Sequence, residues 1–219
     1  MIIAERKPFE EIQSMLQSHR SILVVGCHGC VTICQSGGEL QTQELVNLVR
    51  LWGNEKNKIL NVTWAMVERQ CEIEFITPLK IGHPDIDAIL SLGCGVGVQT
   101  LADLFPALPI YPGLNTKCIG MISPGGDWEE RCQACGNCIL HLTAGICPIS
   151  RCAKSMLNGP CGGSQAGNCE LGDGRPCAWA LIYRKLEQSN QVENLLHIQP
   201  ARNWFTARDG GPRRSTGRS

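Results

Sequence analysis

Fourteen cysteines in 219 residues constrain this chain more than any other feature. The N-terminal stretch MIIAERKPFEE carries acids and no long apolar run, so no secretory signal is expected. That places the chain in a reducing cytoplasm, where disulfides do not persist. Thiols kept in such a compartment serve metals, redox chemistry or packing. A soluble metalloprotein is therefore the leading class, ahead of a disulfide scaffold. At 43% hydrophobic residues the chain can build a core. Its net charge of +0 supplies no field to attract nucleic acid or an anionic membrane. The apolar runs, such as Ile22–Val25 and Ala88–Leu90, fall far short of the about 20 residues of a spanning helix.

Positions 1–122 read as an α/β domain, with a small, mostly parallel sheet and flanking helices. Helical spacing of Phe9, Ile12, Met15 and Leu16 predicts a helix over Pro8–His19. Ile22–Gly26 is apolar throughout, as buried parallel strands are. A second helix is predicted over Glu39–Trp52, stopped by Gly53 and Asn54. Strands follow at Ile59–Val67, Ile86–Leu92 and Leu108–Tyr111. Helices are expected over Val96–Phe105 and over Glu72–Ile81, the latter interrupted by Pro78, and His83 reads as a helix start. Alternating strands and helices imply right-handed crossovers. Positions 123–198 form a cysteine-rich region too poor in apolar periodicity to order itself by burial, so metal coordination is expected to order it. It ends in a helix over Ala178–Glu187. Positions 199–219, with five arginines from Arg202 onward, read as a flexible basic tail. The five tryptophans fall mostly at core-like positions.

The strongest chemical signal is Cys132-x2-Cys135-x2-Cys138 followed by Cys147-Pro148. Two-residue gaps let one tight turn place successive thiolates on the corners of a compact metal centre. Three in a row followed by Cys-Pro is how bacterial ferredoxins hold a [4Fe–4S] cluster, although the last gap here is eight residues rather than three. Zinc sites more often use separated Cys-x2-Cys pairs, so zinc fits this run less well. Cys152, Cys161, Cys169 and Cys177 bring the thiols of the region to eight, enough for two four-thiolate centres. Glycines around Cys161 would let backbone N–H groups approach sulfur. The competing reading is buried small hydrophobes. Spacing alone leaves the pairing of Cys147 and Cys152 open.

A third set is assembled differently. Cys27, Cys30 and Cys34 follow the first predicted strand, Cys71 the second and Cys94 the third. Carboxyl ends of parallel strands share one edge, where ligands bind. Five thiols for a four-coordinate centre leave one spare; alternatively, Cys71 and Cys94 are packed thiols. Cys118 reads as a non-ligand. Gly93-Cys94-Gly95-Val96-Gly97 departs from a phosphate loop: its third glycine comes early and no Lys-Ser/Thr follows. No nucleophile–base constellation or metalloprotease motif stands out, so no catalytic residue is assigned.

Together, several motifs resemble the small iron–sulfur subunit of the acetogen-type methylenetetrahydrofolate reductase. The carriers are Gly26-Cys27-His28-Gly29-Cys30 through Cys34, Val67-Glu68-Arg69-Gln70-Cys71, and Ser91-Leu92-Gly93-Cys94-Gly95-Val96-Gly97-Val98-Gln99. They continue in Trp128-Glu129-Glu130-Arg131-Cys132 through Cys138, Gly145-Ile146-Cys147-Pro148-Ile149, Asn158-Gly159-Pro160-Cys161-Gly162-Gly163 and Pro176-Cys177-Ala178-Trp179. Cys118 and the arginine-rich tail fall outside the pattern. The resemblance implies two or three [4Fe–4S] clusters, with zinc possible in one site. It also implies a flavin-containing catalytic partner that holds FMN and reduces methylenetetrahydrofolate, an electron donor such as a ferredoxin or another subunit, and no FMN in this chain. Two other readings stand beside it: a structural zinc scaffold without a redox role, and a self-sufficient enzyme using the sheet edge near Cys94.

Overall fold

A computed structural model describes residues 1–79, 85–172 and 174–207. The chain divides into two compact units, Met1–Cys118 and Ile119–Ser219.

The first unit is built on a four-stranded parallel sheet. Its elements are β1 (Ile2–Arg6), α1 (Phe9–Leu16), β2 (Ser21–Cys27), α2 (Cys30–Ile33), α3 (Glu39–Glu55), β3 (Asn61–Val67), α4 (Ile73–Ile76), β4 (Ala88–Ser91), α5 (Gly95–Leu104) and β5 (Ile110–Pro112). The strand order is β3-β2-β4-β5, with Ile22 opposite both Val62 and Ala88. Successive side chains of β2 point to opposite faces, and both faces are covered. Ile22 and Val24 pack among Leu16, Leu45 and Val49. Leu23 and Val25 pack among Ile76, Ile89 and Leu101. That is why β2 reads as a continuous apolar run.

Three expectations for this unit need correction. Helix α3 passes through Gly53 and Asn54 to Glu55, and the chain turns instead at Asn57, whose φ is +53°. Gly53 is a packing residue, since a Cβ there would lie 2.7 Å from Leu60 Cδ1. Helix α4 spans only Ile73–Ile76; the end of the helix predicted to Ile81, and His83, lie outside the described residues. Strand β1 was not anticipated, nor was β6 (Leu114–Ile122), which carries the half-buried Cys118 and is the neighbour of β1.

Regular structure is sparse in the second unit. Residues Ile119–Ile122 of β6 pair antiparallel with β7 (Trp128–Cys132), with a register irregularity at Ile119/Gly120. Short α6 (Pro148–Arg151) and longer α7 (Ala178–Gln188) follow, then 3-10 turns at Val192–Leu196 and Trp204–Thr206. The core here is Trp179, Ile182 and Leu186, packed against Ala144, Ile146 and Met156. Trp179 donates through Nε1 to the Met156 carbonyl at 2.9 Å. Of the five tryptophans only Trp52 and Trp179 are core residues; Trp64, Trp128 and Trp204 are 36%, 36% and 46% exposed. Ala134, Ala144, Ser155 and Ala166 all take left-handed backbone angles, a conformation costly for residues with a Cβ. A core this small has little burial energy with which to hold them.

Candidate metal centres

At the carboxyl edge of the parallel sheet, Cys27 is the last residue of β2 and Cys94 is the N-cap of α5. Burial pushes the Cys27 thiol above its usual range. Backbone N–H groups of Gln70 and Gly29, the latter 3.4 Å from its sulfur, pull the other way, and Cys71 and Cys94 act on it through space to raise it further. The edge thus brings Cys71 and Cys94 each within electrostatic reach of Cys27. Cys30 starts α2, half-buried. Cys34 shares the buried core cluster with Cys27 but makes other contacts, its sulfur 3.6 Å from the Ala4 carbonyl and 3.3 Å from Ser36 Oγ.

A residue with no assigned role in the sequence reading holds this edge together. Gln70 is 1% exposed. Its amide donates to the carbonyls of Val25 at 2.8 Å and Gly26 at 3.1 Å, and its Oε1 accepts from Ser91 Oγ at 2.6 Å. Ser91 Oγ in turn accepts from the Gly93 N–H at 3.1 Å. One side chain therefore ties the ends of β2 and β4 to the segment carrying Cys71. The glycine-rich turn now has a physical reason. A Cβ on Gly93 would sit 2.4 Å from Gln70 Oε1, and one on Gly97 would sit 2.6 Å from Gln70 Cβ. These two glycines make room for a buried glutamine.

In the second unit, Cys132 ends β7 and its sulfur accepts from the Ala134 N–H at 3.3 Å. Cys147 caps α6, and its sulfur accepts from the Ser150 N–H at 3.5 Å. Ser150 Oγ donates to the Arg131 carbonyl at 2.8 Å, which ties the helix that follows Cys147 to the strand that ends in Cys132. Cys135 is half-buried and Cys138 exposed on the intervening turn. Burial lowers the Arg151 guanidinium from its usual range, with Arg131 adding repulsion while Glu129 and Cys147 oppose it. The Nε atoms of Arg131 and Arg202 are buried with no hydrogen-bond partner among the described residues.

Cys152, Cys161, Cys169 and Cys177 all line one cavity of about 20 Å³. Antiparallel bridges Gln165–Asn168 and Asn168–Pro176 fold the intervening chain back on itself, and the Cys177 N–H donates to Gly167 O at 2.8 Å. Lys154 and Glu170 form an ion pair beside the thiols, which holds the Lys154 amine above its usual range. A larger cavity of about 470 Å³, lined by Leu142, Trp179 and Tyr183, shares Ser164 and Cys177 with the smaller one.

Among the described residues, no three His, Cys, Asp or Glu side chains are drawn close enough to enclose a metal ion. The donor chemistry nevertheless suits a thiolate-ligated centre. Four thiols share one cavity, sulfurs receive backbone N–H donors, and the buried Nε atoms of Arg131 and Arg202 have no acceptor among the described residues. An anionic group would satisfy those donors.

Residues 111–205 match the family described as methylene-tetrahydrofolate reductase C terminal, so this region relates the chain to those reductases. No curated protein and no solved structure matches the chain. No helix among the described residues is long and apolar enough to cross a membrane.

Proposed function

We propose that this chain is the electron-transferring subunit of a methylenetetrahydrofolate reductase, passing electrons to the FMN of a cytoplasmic catalytic partner. The observation that carries the reading is the Cys132–Cys138 turn tied to the Cys147-capped helix through Ser150, inside the region that matches the reductase family. Bound [4Fe–4S] groups would supply one-electron storage, and a flavin can collect two electrons.

The chain's own residues provide the rest. Cys152, Cys161, Cys169 and Cys177 form one ligand set, and Cys132, Cys135, Cys138 and Cys147 a second. Cys27, Cys30, Cys71 and Cys94 form a third, with Cys34 left in the core. Backbone N–H groups of Gly29, Ala134 and Ser150 aim at sulfur, where they would orient ligating thiolates. Ligation requires each thiol to lose its proton, and at the sheet edge burial of Cys27 opposes that loss. No residue of this chain acts as general acid or base on folate; the electron donor is a ferredoxin or a further subunit.

The test mixes the dithionite-reduced chain, freed of excess reductant, with oxidised catalytic subunit under argon. Bleaching of flavin absorbance, as the chain's own visible absorbance returns, supports the reading. A chain that takes up no reducing equivalents contradicts it. A specific observation favours zinc in one set: the four-thiol cavity, at about 20 Å³, holds an occupant little larger than one water. One zinc per chain alongside iron would assign zinc there, and zinc alone would leave a structural scaffold.

A further inference from the structure

The C-terminal segment reaches back onto the cysteine turns. Gln199 is pinned to Asn158 by two hydrogen bonds, its N–H donating to Asn158 Oδ1 at 2.7 Å and its carbonyl accepting from Asn158 Nδ2 at 3.0 Å. Asn158 opens the turn that carries Cys161. Three residues on, Arg202 Nη2 donates to the carbonyls of Cys135 at 3.0 Å and Asn137 at 3.3 Å. Thr206 Oγ1 donates to the same Cys135 carbonyl at 3.2 Å. The backbones meet closely as well: Gly136 has φ +82°, and a Cβ on it would lie 2.1 Å from Thr206 O. Arg202 is itself held over the Trp204 ring at 5.2 Å. This part of the segment read as a loose tail is engaged; residues 208–219 lie outside the described residues.

We infer that Gln199–Thr206 is a strap that fixes the Cys132–Cys138 turn, and that Arg202 is the positioning residue through which its charge acts on the group held there. The inference rests on the electron-transfer reading above. Two facts carry it. The Cys135 and Asn137 carbonyls are held outward by Arg202, so the N–H groups of the same planar peptides, Gly136 and Cys138, point away from the strap. Arg202 Nε, moreover, is buried with no acceptor from the described chain, and Arg131 Nε, beside Cys132, is in the same condition. A buried unmet donor is unfavourable in the bare chain. Arg131 is already paired with Glu129, whereas Arg202 is bound only to carbonyls, and a thiolate-ligated centre would bring the negative charge that Arg202 lacks. Reduction adds one more negative charge, which the Arg202 cation favours.

The strap is tested by amide hydrogen exchange over residues 133–138 and by a redox titration followed by EPR, on the full chain purified without oxygen. Exchange is repeated after chelation. Arg202→Gln should speed exchange at this turn by at least about tenfold, and should lower the midpoint potential. Arg202→Lys should loosen the turn while keeping most of the potential, because the charge stays and the fork is lost. Thr206→Val should loosen the turn and leave the potential in place. Unchanged exchange in Arg202→Gln, with and without chelation, overturns the strap. Faster exchange with an unmoved or raised midpoint overturns the role of the charge. A parent chain with no redox signal overturns the electron-transfer reading and the charge role together, and exchange then still decides the strap.

Discussion

The two units organise cysteine in opposite ways. In Met1–Cys118 a parallel sheet is covered on both faces by two apolar clusters, and Cys27, Cys71 and Cys94 sit at its carboxyl edge. In Ile119–Ser219 the core comes down to Trp179, Ile182 and Leu186, while chain reversals run through left-handed residues such as Ala134 and Ala166. Apolar burial orders the first unit, and under the proposed function bound metal orders the second.

Metal removal breaks that comparison most sharply. Chelation under reducing conditions should expose the Cys132–Cys177 stretch to protease while the first unit stays folded; structural thiolate centres contribute on the order of 10 kcal/mol. Proteolysis that cleaves both units together would erase the distinction. Core truncation is the next largest test. Leu23→Ala should destabilise the first unit by about 2–5 kcal/mol in denaturant melts and leave the metal content of the second unchanged. Gln70→Ala should cost roughly 1–3 kcal/mol, because the carbonyls of Val25 and Gly26 and the Ser91 hydroxyl lose their partner. Gly97→Ala should resemble it, since its Cβ would fall on Gln70. Metal retention in the second unit with loss at the sheet edge would mark Gln70 as the organiser of that edge alone.

Smaller effects separate individual thiols. Cys34→Ala should lower stability by about 1 kcal/mol through lost packing and leave the metal count untouched, whereas Cys94→Ala should remove metal. In the metal-free, reduced protein, burial raises the Cys27 thiol above its unfolded value. Its contribution to stability is then complete below the ordinary thiol pKa and is lost as pH rises through the raised one. Melts from neutral to alkaline pH should show that decline, and Cys27→Ala should flatten it.

Strands β2 and β4 were legible because burial on both faces leaves an unbroken apolar signature, and β3, an edge strand, was legible from its Val, Thr and Trp residues. Helix α7 was legible from the spacing of its apolar residues. The hairpin of β6 and β7 was not, since the irregularity at Ile119/Gly120 breaks the alternation a strand would show. Spacing brought Cys27 and Cys30 to one loop but could not show that Cys34 turns into the core, because one residue of helical rotation decides it. Gln70 was hidden for a different reason: a buried polar residue is explained only by partners distant in sequence, and the glycines that admit it looked like a ligand loop. Arg202 read as part of a charged tail because nothing local marks a side chain bound to carbonyls more than sixty residues away.

Iron, zinc and acid-labile sulfide per chain, measured on protein never exposed to air, bear most directly on the central claim. The account predicts iron and sulfide in near-equal amounts, at several atoms of each per chain. Their joint absence, whatever the zinc content, would contradict it.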